Sequence, residues 1–134
     1  MPRSPLEPVG CTQCRPESAE AAWKFRQQLV CERTLVDESH FSLRVFSCPA
    51  CAQRFLSAFT EVIERMGGED ARDWGLLPLA AEEAGQLLQT ASPPTEEAIH
   101  AIAPTRRSLR YAAPHPTESS GAGWGAGTWV GIHD

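Results

Sequence analysis

Cys11-Thr-Gln-Cys14 and Cys48-Pro-Ala-Cys51 are the residues of this chain whose type and spacing most clearly carry chemistry. A Cys-x-x-Cys turn lets two sulfurs converge on one ion while intervening backbone N–H groups point at them and stabilise thiolate charge. Four thiolates presented two by two suit a tetrahedral site with Zn–S bonds of about 2.3 Å. The expected ligands are Cys11, Cys14, Cys48 and Cys51, and the expected cofactor is a structural Zn²⁺. Such a shell is closed, whereas a catalytic zinc keeps one position open. The pairs therefore predict a non-enzymatic clasp.

Two other chemistries use the same residues. Iron also accepts four thiolates, as in a rubredoxin-like one-electron site. CPAC looks like a thioredoxin-type redox motif, in which a helix N-terminus lowers the thiol pKa. That motif needs a βαβ context, which the sequence does not offer, and it leaves the second pair without a role. Paired sites commonly separate their turns by about 15–20 residues. Here residues 15–47 intervene, which calls for an inserted helix and hairpin.

The remaining reactive side chains read as structural. Cys31 falls beside Val30 in a strand-like run and is expected to be a buried apolar thiol. His40 sits at a turn, and four cysteines already complete a tetrahedron. Glu82-Glu83, Glu96-Glu97 and Asp70/Asp73 are paired carboxylates, but such residues at helix starts ordinarily serve as caps and dipole partners. No phosphate loop, Ser/His/Asp order or H-E-x-x-H signature is present.

The elements that must position the cysteines follow from periodicity. Pro16 to Gln28 is rich in helix formers, with Ser18 as cap and Ala22, Phe25 and Leu29 along one face. Leu29 to Val36 is enriched in β-branched residues. After the turn Asp37-Glu38-Ser39, Phe41, Leu43 and Val45 alternate with polar residues, which predicts an antiparallel hairpin leading into Cys48. Residues 54–66 fit either a helix, through Phe55, Leu56, Phe59, Val62, Ile63 and Met66, or a third strand. Asp70 to Pro78 reads as a loop. Leu79 to Thr90 is an amphipathic helix stopped by Ser92-Pro93-Pro94, and Thr95 caps a second short helix with Ala98, Ile99 and Ile102 on its apolar face.

The expected organisation is an extended lead (1–10), a metal-bound domain with its C-terminal helix (11–92), a short helix with a basic cluster (93–111) and a Pro/Gly-rich tail (112–134). Its compact part, roughly 80–90 residues, is a size at which a structural metal commonly supplements the core. The tail holds Trp124, Trp129, Val130 and Ile132, apolar groups that could dock into a partner protein or fold back on the chain.

Net charge is −5, from 12 Lys plus Arg against 17 Asp plus Glu. Generic nucleic-acid binding needs a basic stripe that displaces phosphate counterions, and only Arg106, Arg107 and Arg110 cluster. A protein partner is favoured over nucleic acid. The opening MPRSPLEP lacks the apolar stretch of a signal peptide, and no run of 18 apolar residues suggests a membrane span. A cytoplasmic location is expected, where reduced thiols favour metal over disulfides.

CTQC and CPAC, with the strands between them, resemble the zinc-ribbon superfamily, in which two cysteine knuckles sit on small antiparallel strands. The resemblance spans about residues 9–66. The stretch HFSLRVFSCPACAQRFLSAFTEVIE (residues 40–64) also looks like small uncharacterised bacterial zinc-ribbon proteins, a likeness that implies a fold and no activity. Zinc ribbons commonly place a strand directly after the second knuckle, so the resemblance favours strand over helix for residues 54–66. Ala52 stands where the common C-P-x-C-G knuckle has glycine, and because alanine adopts positive φ only at some cost, the knuckle is expected to be slightly strained or differently turned. The resulting expectation is an α+β domain: a zinc ribbon with a hairpin or three-stranded sheet, then short helices and a flexible tail. Its function is expected to be that of a zinc-stabilised protein-interaction or adaptor module, with a nucleic-acid-associated regulator and a thiol redox or rubredoxin-like protein as alternatives.

Overall fold

Alternating apolar residues make Phe41–Ser47 a strand (β2), which pairs antiparallel with Val30–Glu38 (β1) before it and Arg54–Val62 (β3) after it. The computed structural model describes residues 11–62, 71–113 and 121–128. Within them the chain is α+β, with one antiparallel sheet of six strands in the order β1-β2-β3-β4-β5-β6. The later strands are Ala71–Pro78 (β4), Arg107–Ala113 (β5) and Gly121–Ala126 (β6). The helices are Ala19–Phe25 (α1), continued by a 3₁₀ turn over Arg26–Gln28, then Ala81–Gln89 (α2) and Glu96–Ala101 (α3).

The strand after the second knuckle is as the resemblance implied, because Leu56 and Ala58 alternate with Phe55 and Ser57 across two neighbouring strands. Leu56 lies opposite Val45 on one side and Leu77 on the other. These three, with Leu43 and Ala58, form the apolar face on which Ala84, Leu87 and Ile99 of α2 and α3 close the main core. The α2 start is fixed by Glu83, whose carboxylate accepts the Ala80 N–H at 2.8 Å, and α3 by Thr95, whose hydroxyl accepts the Ala98 N–H at 3.1 Å. Arg33 of β1 donates to the carbonyls of Leu87 and Thr90 at the α2 C-terminus. A cation there satisfies orphan carbonyls and complements the helix dipole.

Three sequence expectations are corrected. Asp70 to Pro78 is not a loop where it is described, since Ala71–Pro78 is a full strand between β3 and β5. Its Asp, Gly and Pro mimic turn punctuation. Yet Gly75 merely passes between Ala58 and Arg110, and Pro78 ends the strand, where a missing N–H is tolerated. The sheet is also six-stranded rather than three-stranded. Finally, the stretch expected as a flexible tail contains β6, whose Gly-Ala-Gly-Trp-Gly-Ala sequence has little strand propensity but joins β5 through its backbone. Arg107–Ala113 and Gly121–Ala126 thus belong to the same sheet as the cysteine-bearing hairpin.

The opposite face of the sheet carries α1. Ser18 caps it by accepting the Ala21 N–H, and Ala22 is buried, as its spacing indicated. Trp23 stacks on Tyr111 with ring centroids 3.9 Å apart and meets Trp74 edge-on at 5.2 Å. Aromatic contacts of this kind add about 0.5–1.5 kcal/mol each beyond burial. Gly127, just past β6, has φ +71, and a Cβ there would stand 2.9 Å from the Pro104 carbonyl oxygen. Glycine is what lets that close approach occur.

Candidate metal centre

The β2–β3 hairpin presents the second cysteine pair at its tip. Ser47 still pairs with Arg54, and residues 48–53 form the knuckle between them. Cys48 N–H donates to the Gln53 carbonyl and Ala52 N–H to the Cys48 carbonyl, both at 2.8 Å. The first knuckle closes in the same way, through the Arg15 N–H and the Cys11 carbonyl at 2.8 Å. α1 follows that knuckle and lays Phe25 and, beyond it, Leu29 against Cys14, Cys48 and Phe55 in a second apolar cluster. Gln53 anchors the tip by donating to the carbonyls of Arg54 and Leu79 at 2.8 Å each.

This arrangement brings all four sequence-predicted ligands together. Cys11 Sγ lies 3.7 Å from Cys14 Sγ and 3.8 Å from Cys48 Sγ, and Cys14 Sγ lies 3.7 Å from Cys51 Sγ. All four sulfurs fall within 4.8 Å of one another. Four sulfurs about 2.3 Å from one ion at tetrahedral angles stand about 3.8 Å apart. A disulfide would need about 2.05 Å. The donor set therefore fits a single shared metal ion. An iron–sulfur cluster, which shares four thiolates among two or four irons, would spread the sulfurs farther.

Ala52 has φ 66, so of the two expectations for this knuckle the strained, left-handed one holds. A non-glycine residue there costs roughly 1–2 kcal/mol. Ala52→Gly is expected to raise stability by about 0.5–1 kcal/mol after the entropic cost of glycine is subtracted, measured as a higher urea midpoint at unchanged slope.

Local fields treat the thiols differently. The Cys14 and Gln13 backbone N–H groups draw the Cys11 thiol down to about 7 against the opposing effect of burial. Burial pushes the Cys14 thiol well above its ordinary range and raises that of Cys51. Without an ion, Cys14 and Cys51 hold their protons at neutral pH, so an ion must displace them and competes less well as pH falls. Apparent metal affinity is expected to drop at least about a hundredfold per pH unit below 7, about tenfold for each displaced proton, measured by competition with a chelator of known pH dependence.

Cys31 is a correction. It is exposed rather than buried and lies outside the four-sulfur cluster. β1 is an edge strand with irregularities between Cys31 and Arg33 and between Thr34 and Val36, and only Leu35 along it is buried. His40 occupies the turn between β1 and β2, remote from the knuckles along the strands, with Nδ1 3.4 Å from Glu61 Oε1. Glu83 is a capping residue and also pairs with both terminal nitrogens of Arg106.

Trp124 lies in β6 rather than in a free tail. Its Nε1 donates to the Glu17 carbonyl at 2.9 Å, and the Arg107 guanidinium sits 3.9 Å from its ring centre. Trp129, Val130 and Ile132 lie outside the described residues. Sequence reasoning missed that Trp23, Trp74 and Tyr111 would meet, because Asp70 to Pro78 reads as a loop and the sequence alone assigns no strand over Arg107–Ala113. Among the described residues no helix is long and apolar enough to cross a membrane. Comparison with protein-family models, curated proteins and solved structures finds no match for this chain, so its four-cysteine site rests on its own geometry.

Proposed function

We propose that this chain is a non-catalytic, zinc-stapled interaction module that accepts an extended protein segment along the outer edge of β6. The carrying observation is that edge: β6 pairs with β5 only, and among the described residues no strand covers its other side. The Gly127 N–H donates to the Arg106 carbonyl at 2.8 Å. Hydrogen-bonded and open pairs alternate in an antiparallel ladder, so Gly125, Gly123 and Gly121 face β5. The N–H groups of Ala122, Trp124 and Ala126 then point outward, available for strand addition.

Zinc is the favoured ion because four protein thiolates complete its tetrahedron and require no redox chemistry. CPAC occupies a hairpin tip, and β3 follows it. The helix N-terminus that activates a thioredoxin-type thiol is therefore missing from that position. A protein partner is favoured over nucleic acid because the three clustered arginines have internal contacts: Arg106 with Glu83, Arg107 with Trp124, and Arg110 3.8 Å from Asp73. They do not form one basic stripe.

Ala122→Pro removes one outward N–H and no ladder bond to β5, a change tolerated on sheet edges. Affinity purification of the intact chain should recover a partner whose binding is lost with Ala122→Pro and kept with Ala122→Thr, the melting temperature staying within a few degrees. A partner still bound by the proline variant would contradict strand addition.

A further inference from the structure

Beside α1, on the sheet face opposite the main core, lies a pocket of about 330 Å³ whose lining includes Arg26, Ser42, Arg44, Ser57, Phe59 and Trp74. That volume is at the small end of the range for organic ligands, about 300–1,000 Å³. Its polar groups come from three separate elements, yet they share one character. Two guanidinium groups and two hydroxyls line it, and no carboxylate does among the described residues.

The two cations retain unused capacity. Arg26 lies 3.7 Å over the Trp23 ring, and its Nε is buried without a hydrogen-bond partner. Nε is too deeply buried for a pocket occupant to reach, so the terminal guanidinium nitrogens are what Arg26 can offer an acceptor there. Arg44 reaches Ser42 Oγ at 3.4 Å and Asp37 Oδ1 at 3.5 Å, both at the long limit of a hydrogen bond. The Asp37 side chain is 75% exposed, so solvent screens that pair and leaves it little net strength. A better-placed anion would displace it. Arg forks bind carboxylates through charge-assisted bonds, and the Phe59–Trp74 pair, with ring centroids 4.7 Å apart, offers an aromatic wall.

We infer that this pocket binds a small aromatic carboxylate, with its anionic group between Arg26 and Arg44 near the serine hydroxyls and its ring against Phe59 and Trp74. Its lining includes none of the four cysteines and no residue of β6, although Leu29 and Leu76 also pack against the Cys14–Cys48 cluster.

The test uses the full, metal-loaded chain with 2-naphthoate as probe, 2-naphthamide as its neutral counterpart and inorganic phosphate as an anion without a ring. Calorimetry and amide chemical-shift mapping report affinity and place. Saturable naphthoate binding is expected, with shifts at Ser42, Arg44, Ser57 and Trp74, and at least tenfold weaker binding of the amide and of phosphate. Arg44→Gln should weaken naphthoate about tenfold, and Ser57→Leu, which fills the pocket without changing charge, should abolish binding while the melting temperature holds. Equal binding of acid and amide, shifts confined to another surface, or no saturation by naphthoate at 10 mM would each overturn the assignment.

Discussion

Cys14→Ser is expected to release the bound ion and lower stability by more than about 4 kcal/mol, a fall of roughly 10–20 °C in melting temperature. The reason lies in what the ion joins. Cys11 and Cys14 precede α1, whereas Cys48 and Cys51 sit at the tip of the β2–β3 hairpin, and an ion held by the four sulfurs would tie these two parts together. Cys14 and Cys48 are buried, and Phe55, Phe25 and Leu29 pack around them. Losing the ion leaves those apolar groups around unsatisfied thiols and frees α1 from the sheet. Calorimetric melting with metal analysis on the same sample checks both parts. Trp23 should lose its stacking on Tyr111 as α1 loosens, seen as a change in the near-ultraviolet dichroism.

Leu56→Ala carries the second large effect, a loss of about 2–5 kcal/mol. Leu56 is fully buried at the middle of the sheet, between Val45 and Leu77, and belongs to the core that α2 and α3 close. Truncation removes the burial of its side chain and leaves a cavity that paired strands on both sides cannot close. Urea unfolding should show a lower midpoint with the metal still bound. That separates the two variants: Cys14→Ser loses the ion and stability together, whereas Leu56→Ala loses stability alone.

The cysteine site was legible because its information is local. Two cysteines with two residues between them define a knuckle, and the C-P-x-C frame marked Ala52 as strained or differently turned; its φ of 66° shows the strained case. The first hairpin was legible because Phe41, Leu43 and Val45 alternate over a long enough run. α2 and α3 were legible through their caps and apolar faces. What stayed hidden is non-local. Asp73, Gly75 and Pro78 look like turn residues, and only β3 and β5 on either side make Ala71–Pro78 a strand. β6 has three glycines and joins the sheet as an edge, where pairing with one neighbour suffices. Cys31 was misplaced because irregular pairing along β1 breaks the strict alternation that would have turned it inward. The aromatic cluster and the arginine-lined pocket depend on those same unseen strands.

The proposed joint between the N-terminal knuckle and the sheet is one tetrahedral zinc ion held by Cys11, Cys14, Cys48 and Cys51. X-ray absorption at the metal edge, on protein purified without added metal, tests it most directly. One zinc per chain with four sulfur neighbours at about 2.3 Å is expected. Iron in that site, fewer than four sulfurs around the ion, or a metal-free chain with Cys11–Cys14 or Cys48–Cys51 disulfides would contradict it.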